Sequence, residues 1–246
     1  MNFNGLKKAT SLALSNEELH VWQMKIAAAS SETHLNSACL SDSERELANR
    51  FKTDSARRMF IAARSGLREI LGQYLAAAPS RIQFSHEANG KPRLADLTSD
   101  VRFNVAHSGV VALIVVARGC DVGVDVERLR KVERLEQIAA RYFHPAETVA
   151  ILKQPSPERS SAFLRCWTGK EAVLKAIGCG VSGALDQFEA PIAAHQGVWI
   201  DVLLPSANQS KKCWLQSLEL DAEYVAAVAC VGEKRRTIMI PSAHYA

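Results

Sequence analysis

Hydrophobic and polar residues follow two different periods along the chain, and each period predicts one kind of element. Between residues 41 and 71 the apolar positions recur every three or four residues, which is typical of helices with one buried face. Ser41 and Glu44 have the spacing of a capping box and mark the start of this region. The same period predicts further helices over 132–140, 146–152 and 163–177.

Short apolar runs bounded by turn residues predict β-strands elsewhere. The two longest runs, 110–117 and 224–231, are similar in length and character. The sequence Asn89-Gly90-Lys91-Pro92 predicts the loop of a hairpin. Further strands are predicted over 121–127, 198–204, 213–220 and 237–240.

Together these elements predict an α+β fold with two subdomains of similar size. The subdomains are residues 1–119 and 120–246, each with helices packed on a small antiparallel sheet. Because each half contains one long apolar strand, we interpret the fold as pseudo-duplicated, although no sequence repeat is strong enough to prove it.

The composition excludes several classes of protein. Of 246 residues, 48% are hydrophobic and 23% are charged, as in a globular chain. The formal net charge of +4 is too small for a polycationic nucleic-acid binder. No apolar run reaches the ~20 residues of a membrane span, and the start of the chain lacks the apolar region of a signal peptide. Since the six cysteines include no C-x-x-C pair, we expect a cytoplasmic protein with reduced thiols, no zinc site and no nucleic-acid or membrane partner.

Two acidic residues of the strand over 121–127 are the first candidates for chemistry. The two-residue period of a strand places Asp125 and Glu127 on the same face. Gly123 beside them permits another backbone to approach closely. Neighbouring carboxylates raise each other's pKa unless a cation neutralises them, and oxygen ligands favour Mg²⁺ over zinc. A metal site and a solvent-facing acidic pair both remain open at this point.

The second candidate is the helical segment Trp167-Thr168-Gly169-Lys170-Glu171-Ala172-Val173-Leu174-Lys175. Glu171 and Lys175 lie at positions i and i+4, and therefore on one face of the helix. Two simpler interpretations compete with a site: Thr168 and Glu171 fit a capping box, and Glu171 with Lys175 fits an intrahelical ion pair.

Taken in order, these segments resemble the signature of the 4′-phosphopantetheinyl transferases. G-V-D-V-E at 123–127 and W-T-G-K-E-A-V-L-K at 167–175 are similar to that family's G-[IV]-D and W-[ST]-x-K-E blocks. Upstream, Gly90-Lys91-Pro92 and F-N-V-A-H-S-G at 103–109 resemble its G-K-P turn and its histidine segment. The matched blocks extend over about residues 45–180, and the length is similar to the monomeric Sfp-type group rather than the short trimeric synthases.

This resemblance implies an Mg²⁺-dependent enzyme. It would transfer the 4′-phosphopantetheine arm of coenzyme A to a serine of an apo acyl or peptidyl carrier protein and release adenosine 3′,5′-bisphosphate. By resemblance, the metal ligands are Asp125, Glu127 and Glu171. Glu171 or Glu147 would take the proton of the serine, directly or through water.

The resemblance also implies cationic contacts to coenzyme A. Lys175, His107 and Lys91 would contact the phosphates. The arginine-rich helical region would hold the 3′-phosphate, and helical spacing favours Arg57 and Arg64. Gly169 is a poor helix-forming residue, so the helix is expected to begin later or to be looser there.

Two alternatives from other classes remain. One is a module that binds coenzyme A or a carrier protein without catalysis, and the other is a metal-dependent phosphoesterase that uses the same carboxylates. Asp125, Glu127, Glu171 and Lys175 are all present, which argues against the non-catalytic module. A phosphoesterase would release free phosphopantetheine, whereas a transferase would leave it on a protein.

Overall fold

Helices form where the apolar period predicts them. The computed structural model describes residues 12–26, 37–86, 90–179, 185–204 and 209–241. Ser41 and Glu44 make the predicted capping box, because Ser41 Oγ accepts a hydrogen bond from the Glu44 backbone and the Glu44 carboxylate accepts one from the Ser41 backbone. The helices are α1 (Asp42–Asn49), α2 (Asp54–Leu75), α3 (Leu135–Tyr142), α4 (Pro145–Leu152) and α5 (Arg159–Ile177).

The first half of the chain builds a four-stranded sheet and a short hairpin. Its strands are β1 (Glu18–Lys25), β2 (Phe84–His86), β3 (Pro92–Leu94), β4 (Val101–Ser108) and β5 (Val111–Arg118). β2 and β3 form the predicted antiparallel hairpin, although Asn89 of its loop lies outside the described residues. β5 is an inner strand between β1 and β4, and its side chains are buried on both faces because alternate residues pack in two different cores.

The second half builds an antiparallel sheet with the strand order β6-β9-β8-β7. Its strands are β6 (Val122–Arg128), β7 (Val198–Leu204), β8 (Gln209–Leu218) and β9 (Tyr224–Val231). α5 packs on one face of this sheet, and its apolar residues share a core with β7, β8 and β9. The opposite face packs on β1 and β5 of the first sheet through the valines of β6. The predicted α+β fold with two subdomains is therefore confirmed.

The last described strand pairs with the first one. β10 (Arg236–Pro241) pairs in parallel with β1, with Glu18 opposite Arg236, so the first sheet has the order β10-β1-β5-β4. Residues 236–241 therefore belong to the first sheet, although a division into 1–119 and 120–246 assigns them to the second subdomain. The boundary at 119 and 120 itself falls between β5 and β6 and stays a prediction.

The expectations for the start of α5 are wrong. The helix begins at Arg159 instead of Phe163, and it is continuous through Gly169. Thr168 lies in the interior of the helix, where its hydroxyl donates to the Arg165 carbonyl, so it forms no capping box with Glu171. A Cβ at position 169 would lie 3.4 Å from the Leu215 side chain, which is ordinary van der Waals contact.

Candidate active site

Gly123 brings α5 into direct contact with β6. A Cβ atom at this position would lie 2.1 Å from the Ala172 carbonyl oxygen and 2.5 Å from the Ala176 nitrogen. No side chain fits in that space, so only glycine permits the approach that the sequence suggested. The face of β6 that carries Gly123 also carries Asp125 and Glu127, and it is therefore directed at the helix that carries Glu171 and Lys175.

Lys175 forms an ion pair with Asp125 across this contact. Its Nζ atom lies 2.6 Å from Asp125 Oδ1 and 3.3 Å from the Val124 carbonyl oxygen. Among the described residues, the carboxylate within ion-pair distance of Lys175 is Asp125 of β6 and not Glu171 of its own helix. The alternative of a simple intrahelical ion pair is therefore wrong.

Asp125 and Glu171 both have raised pKa values. The pKa of Asp125 is raised to about 7, chiefly by burial and to a smaller extent by the charges of Glu171 and Glu127, against the opposing effect of Lys175. Burial also raises the pKa of Glu171, and Glu127 adds to the shift. Oδ2 of Asp125 and Oε1 of Glu171 are buried and have no hydrogen-bond partner among the described residues. The site thus holds buried acidic groups that a cation would stabilise.

Glu127 is the third carboxylate of the cluster. It is half-buried, and its Oε2 atom accepts a hydrogen bond of 3.1 Å from the Ser108 hydroxyl. Within the part of the chain that the structure describes, no three His, Cys, Asp or Glu side chains are arranged so that they could already hold a metal ion. The predicted ligands Asp125, Glu127 and Glu171 therefore come together as neighbours but do not form a preassembled metal site. The two unpartnered oxygens nevertheless fit the oxygen chemistry that Mg²⁺ requires.

Lys91 contacts backbone atoms of the two elements that carry the cluster. Its Nζ atom donates to the Val122 carbonyl of β6 at 3.0 Å and to the Lys175 carbonyl of α5 at 2.6 Å. The resemblance predicts a phosphate contact for this ammonium group, whereas the structure directs it at the protein backbone.

Glu147, the other candidate base, lies in a buried network of its own. Its Oε1 atom accepts hydrogen bonds of 2.6 Å from Lys170 Nζ and from the Ala190 nitrogen, and Oε2 accepts one from the His144 nitrogen at 2.9 Å. Lys170 is completely buried, with its Nζ atom 4.2 Å from the ring centre of Phe188. These contacts join α4, α5 and residues 188–190, and they occupy both oxygens of Glu147. The geometry therefore indicates a structural role for Glu147.

Sequence reasoning missed Lys170 as the partner of Glu147. A signal was available, since Lys170 lies in a helix whose residues 162–177 are mostly apolar, and a buried lysine needs a buried acid.

A separate cleft of about 320 Å³ brings Arg64 and His107 together. The Arg64 guanidinium lies over the rings of Phe60 and Phe84, and it forms an ion pair of 3.4 Å with Glu44. The cleft is otherwise largely apolar, and its remaining lining residues include Met59, Leu67, Pro92 and Val105. Arg57 is exposed on α2 and does not line this cleft, so the structure separates the two arginines that helical spacing favoured equally.

The segment that follows β6 forms a larger cleft that the sequence did not indicate. It has a volume of about 790 Å³ and is lined by residues 129–137 together with residues from Ser156 to Ser161. Its basic lining residues are Arg130, Lys131, Arg134 and Arg159. This cleft opens next to the end of the strand that carries Glu127.

The fold and the site define an α+β protein with a lysine and buried carboxylates at the contact between α5 and β6. Comparison with known families agrees with this description. The model described as 4′-phosphopantetheinyl transferase superfamily matches residues 121–229, and the model for the N-terminal part of a 4′-phosphopantetheinyl transferase matches residues 25–118. No helix among the described residues combines the length and apolar character that crossing a membrane requires.

Several curated proteins are similar over most of the chain. The 4′-phosphopantetheinyl transferase HetI of a Nostoc species is 36% identical over 230 residues, which are 92% of this chain and 93% of the relative. The transferase psf-1 of Bacillus pumilus is 30% identical over 75% of this chain and 76% of its own. Sfp of Bacillus subtilis is 30% identical over 66% of this chain and 69% of its own. The chain therefore belongs to the 4′-phosphopantetheinyl transferase superfamily, in the group that includes Sfp, and it is a transferase.

Proposed function

We propose that this enzyme transfers the 4′-phosphopantetheine arm of coenzyme A to a serine of an apo acyl or peptidyl carrier protein. The observation that carries the proposal is the cluster at the contact of α5 and β6, where unpartnered oxygens of Asp125 and Glu171 lie beside the Lys175 ammonium group. Such an arrangement suits a reaction in which negative charge on a pyrophosphate has to be neutralised. The membership in the family supports this reaction over others that use the same residue types.

The donor would bind at the amino-terminal subdomain. The cleft beside Arg64 and His107 combines an apolar wall with cationic and hydrogen-bonding groups, which suits a nucleotide with a 3′-phosphate. Because Arg64 lines this cleft and Arg57 does not, we propose Arg64 as the main contact to the 3′-phosphate. His107 would donate a hydrogen bond to the same nucleotide.

The reaction would be a substitution at the phosphorus that carries the pantetheine arm. The serine oxygen forms a bond to this phosphorus, and the bond from phosphorus to the bridging oxygen of the pyrophosphate breaks. Adenosine 3′,5′-bisphosphate leaves with that oxygen, and the serine proton passes to Glu171 directly or through one water. A carboxylate with a raised pKa is a stronger base than an ordinary one, which favours Glu171 for this role.

Lys175 would supply positive charge to the same phosphates. An ammonium group has three donors, and two of them contact Asp125 and the Val124 carbonyl. The lysine side chain is 28% exposed, so the third donor can reach a ligand from the solvent side. It would stabilise the charge that develops on the leaving phosphate.

We propose that Asp125, Glu171 and Glu127 hold a magnesium ion when substrate is bound. The ion would supply a further positive charge for the pyrophosphate oxygens. The unpartnered oxygens of Asp125 and Glu171 are the groups of this chain that would bind it. The pKa values of Asp125 and Glu171 are raised, mainly by burial, and the charge of Glu127 adds to both shifts.

The product distinguishes this proposal from a phosphoesterase and from a non-catalytic module. The protein is incubated with coenzyme A, Mg²⁺ and a panel of apo carrier proteins, and each carrier is weighed by mass spectrometry. A transferase adds one phosphopantetheine group to a carrier and forms adenosine 3′,5′-bisphosphate. Free phosphopantetheine with unmodified carriers would indicate hydrolysis, and unchanged coenzyme A would indicate binding alone. Either of these results would overturn the proposal.

The monomeric state and the cytoplasmic location stay predictions of the sequence. Light scattering of the purified protein measures the first, and fractionation of cells that express the chain measures the second.

A further inference from the structure

Two edge strands face each other where the subdomains meet. β4 is the last strand of one sheet and β6 is the first strand of the other, and the two pack against each other. Their backbones form no ladder among the described strands, because β4 pairs with β5 and β6 pairs with β9. One backbone edge of β6, the strand of Asp125 and Glu127, is therefore left without a neighbouring strand.

The even-numbered residues of β6 direct their backbone groups to this open edge. Just before β6, the Asp121 carbonyl accepts a hydrogen bond from the Val231 nitrogen, and just after it the Leu129 nitrogen donates one to the Glu223 carbonyl. The backbone groups of odd-numbered residues therefore point toward β9. Backbone groups alternate in direction along a strand, and those of Val122, Val124 and Arg128 consequently point the other way.

Side chains of the amino-terminal subdomain take the place of the missing strand. Asn104 Oδ1 accepts a hydrogen bond of 3.0 Å from the Val124 nitrogen, and Asn104 is buried. Ser108 Oγ accepts one of 3.0 Å from the Arg128 nitrogen. Lys91, from the hairpin, donates to the Val122 carbonyl.

Ser108 also links this edge to the carboxylate cluster. Its oxygen accepts from the Arg128 nitrogen while its hydrogen is donated to Glu127 Oε2 at 3.1 Å. The hydroxyl is thus oriented by the backbone and in turn orients the carboxylate. Asn104 and Ser108 both lie on β4, within the segment that the resemblance marks, yet neither was a candidate from the sequence.

We propose that Asn104 and Ser108 are positioning residues that hold the open edge of β6 and so place Asp125 and Glu127 for the reaction. The inference rests on the proposed function, since it assigns these residues to the same site. Asn104 fixes the backbone of Val124, directly before Asp125, and Ser108 fixes the side chain of Glu127. The amino-terminal subdomain therefore contributes to the geometry of the carboxylates as well as to donor binding.

Hydrogen exchange of backbone amides tests the edge contacts without any substrate. Asn104→Ala removes the acceptor for the Val124 amide, and Ser108→Ala removes the acceptor for the Arg128 amide. We expect each of these amides to exchange about fivefold faster in its variant, because one hydrogen bond contributes on the order of 1 kcal/mol. Unchanged exchange in both variants would overturn the proposal. Should Asn104→Ala fail to fold, the half-exposed Ser108 still provides the test.

Metal binding and kinetics test the positioning role. Ser108→Ala is expected to weaken binding of Mn²⁺, measured by electron paramagnetic resonance, and to lower kcat, each by about tenfold, as partners of metal ligands commonly do. The KM for coenzyme A should stay within about twofold, because the donor cleft is not altered. Ser108→Thr keeps the hydroxyl and should restore both quantities. Normal Mn²⁺ affinity and normal kcat in Ser108→Ala would overturn the proposal.

Ser217→Ala is the matched control. Ser217 Oγ also accepts a hydrogen bond from a backbone nitrogen, that of Ala194 at 2.8 Å, but it lies on β8 and holds no residue of β6. An equal loss of kcat in this control would show that removing any side-chain partner of a backbone nitrogen lowers kcat. That result would overturn the positioning role. Transfer by the wild type in the same assay tests the proposed function separately, so failure of one proposal is distinguished from failure of the other.

Discussion

The ammonium group of Lys175 lies 2.6 Å from Oδ1 of Asp125, although Glu171 lies one turn before Lys175 on the same helix. This pairing joins α5 to β6 at the one place where Gly123 lets the two backbones meet. Lys175 lowers the pKa of Asp125, so the loss of Lys175 would increase the free-energy cost of burying the ionised carboxylate.

Lys175→Met should lower kcat by roughly 10²-fold, because the variant lacks the charge proposed to stabilise the leaving phosphate. The measurement is kcat at saturating coenzyme A and carrier protein. Lys153→Met is a suitable control, since Lys153 is exposed at the end of α4. A loss smaller than about threefold in Lys175→Met would remove Lys175 from the catalytic residues.

Removal of divalent metal should abolish transfer, and added Mg²⁺ should restore it. Asp125→Ala takes away one of the two unpartnered buried oxygens and should lower the rate by about 10²-fold or more. Isothermal titration with Mg²⁺ in the presence of coenzyme A should show weaker binding than in the wild type. Asp201→Ala, an exposed change on β7, is the control. Full activity in EDTA would contradict the metal assignment.

Arg64→Ala should weaken the binding of coenzyme A at least about tenfold more than that of 3′-dephospho-coenzyme A, because a guanidinium group binds a phosphate dianion with charge-assisted hydrogen bonds. Arg57→Ala is the matched comparison and should have the smaller effect, since Arg57 lies outside the cleft. Equilibrium binding of both ligands to both variants is the measurement. Equal losses for the two ligands in Arg64→Ala would place the 3′-phosphate elsewhere.

Lys170→Met should lower the free energy of unfolding by about 3–5 kcal/mol, because it leaves the carboxylate of Glu147 buried without its cation. The double variant Lys170→Met with Glu147→Leu should recover much of this loss. Urea denaturation of the single and double variants measures both effects. If Glu147→Gln instead kept full stability and lost turnover, Glu147 would be the catalytic base after all.

Acidification from pH 7.5 to 5.5 should reduce the stability that His20 contributes, whereas the raised pKa of Asp125 acts in the opposite direction over the same interval. His20 is buried, and its Nδ1 atom lies 2.8 Å from the Tyr74 hydroxyl, which also accepts from Trp22. Burial lowers the pKa of His20 despite the opposing effect of Glu18, so the unfolded chain binds the proton more readily. The stability that neutral His20 contributes is present above the unfolded pKa and is lost as the pH falls below it.

His20→Gln should therefore gain melting temperature relative to the wild type as the pH falls over this interval, because the variant lacks the group that takes up a proton on unfolding. Thermal unfolding of both proteins at several pH values is the measurement. The same pH dependence in variant and wild type would show that His20 does not titrate with a lowered pKa.

Local patterns were enough to predict most elements of the fold. The apolar runs became β5 and β9, because a short continuous apolar run bounded by turn residues suits a strand that is covered on both faces. Ser41 and Glu44 predicted the start of α1, since a capping box depends only on residues three apart. The dependence on local patterns also explains the error at α5. Its first turn, from Arg159, is largely polar and gives no apolar period from which the start of a helix can be predicted.

The candidate site was predicted from its residue types, and its contacts were not. Asp125, Glu171 and Lys175 were selected from strand and helix spacing together with the family resemblance, and the structure brings all three together. Glu147 was selected from the same resemblance, but its partner Lys170 is 23 residues away along the chain. Periodicity describes one element at a time, and it cannot show which side chain of another element will pair with a buried charge.

The sequence by itself determined which segments become helices and strands, where Gly123 would permit a close approach, and which family the chain resembles. Only the tertiary structure decided that β10 joins β1, that Lys175 pairs with Asp125, and that Asn104 holds the edge of β6. The physical reason is that local structure follows from backbone preferences and apolar period over a few residues. Pairing across subdomains depends instead on which buried polar groups meet when the two cores close, and each of those groups must find a partner there.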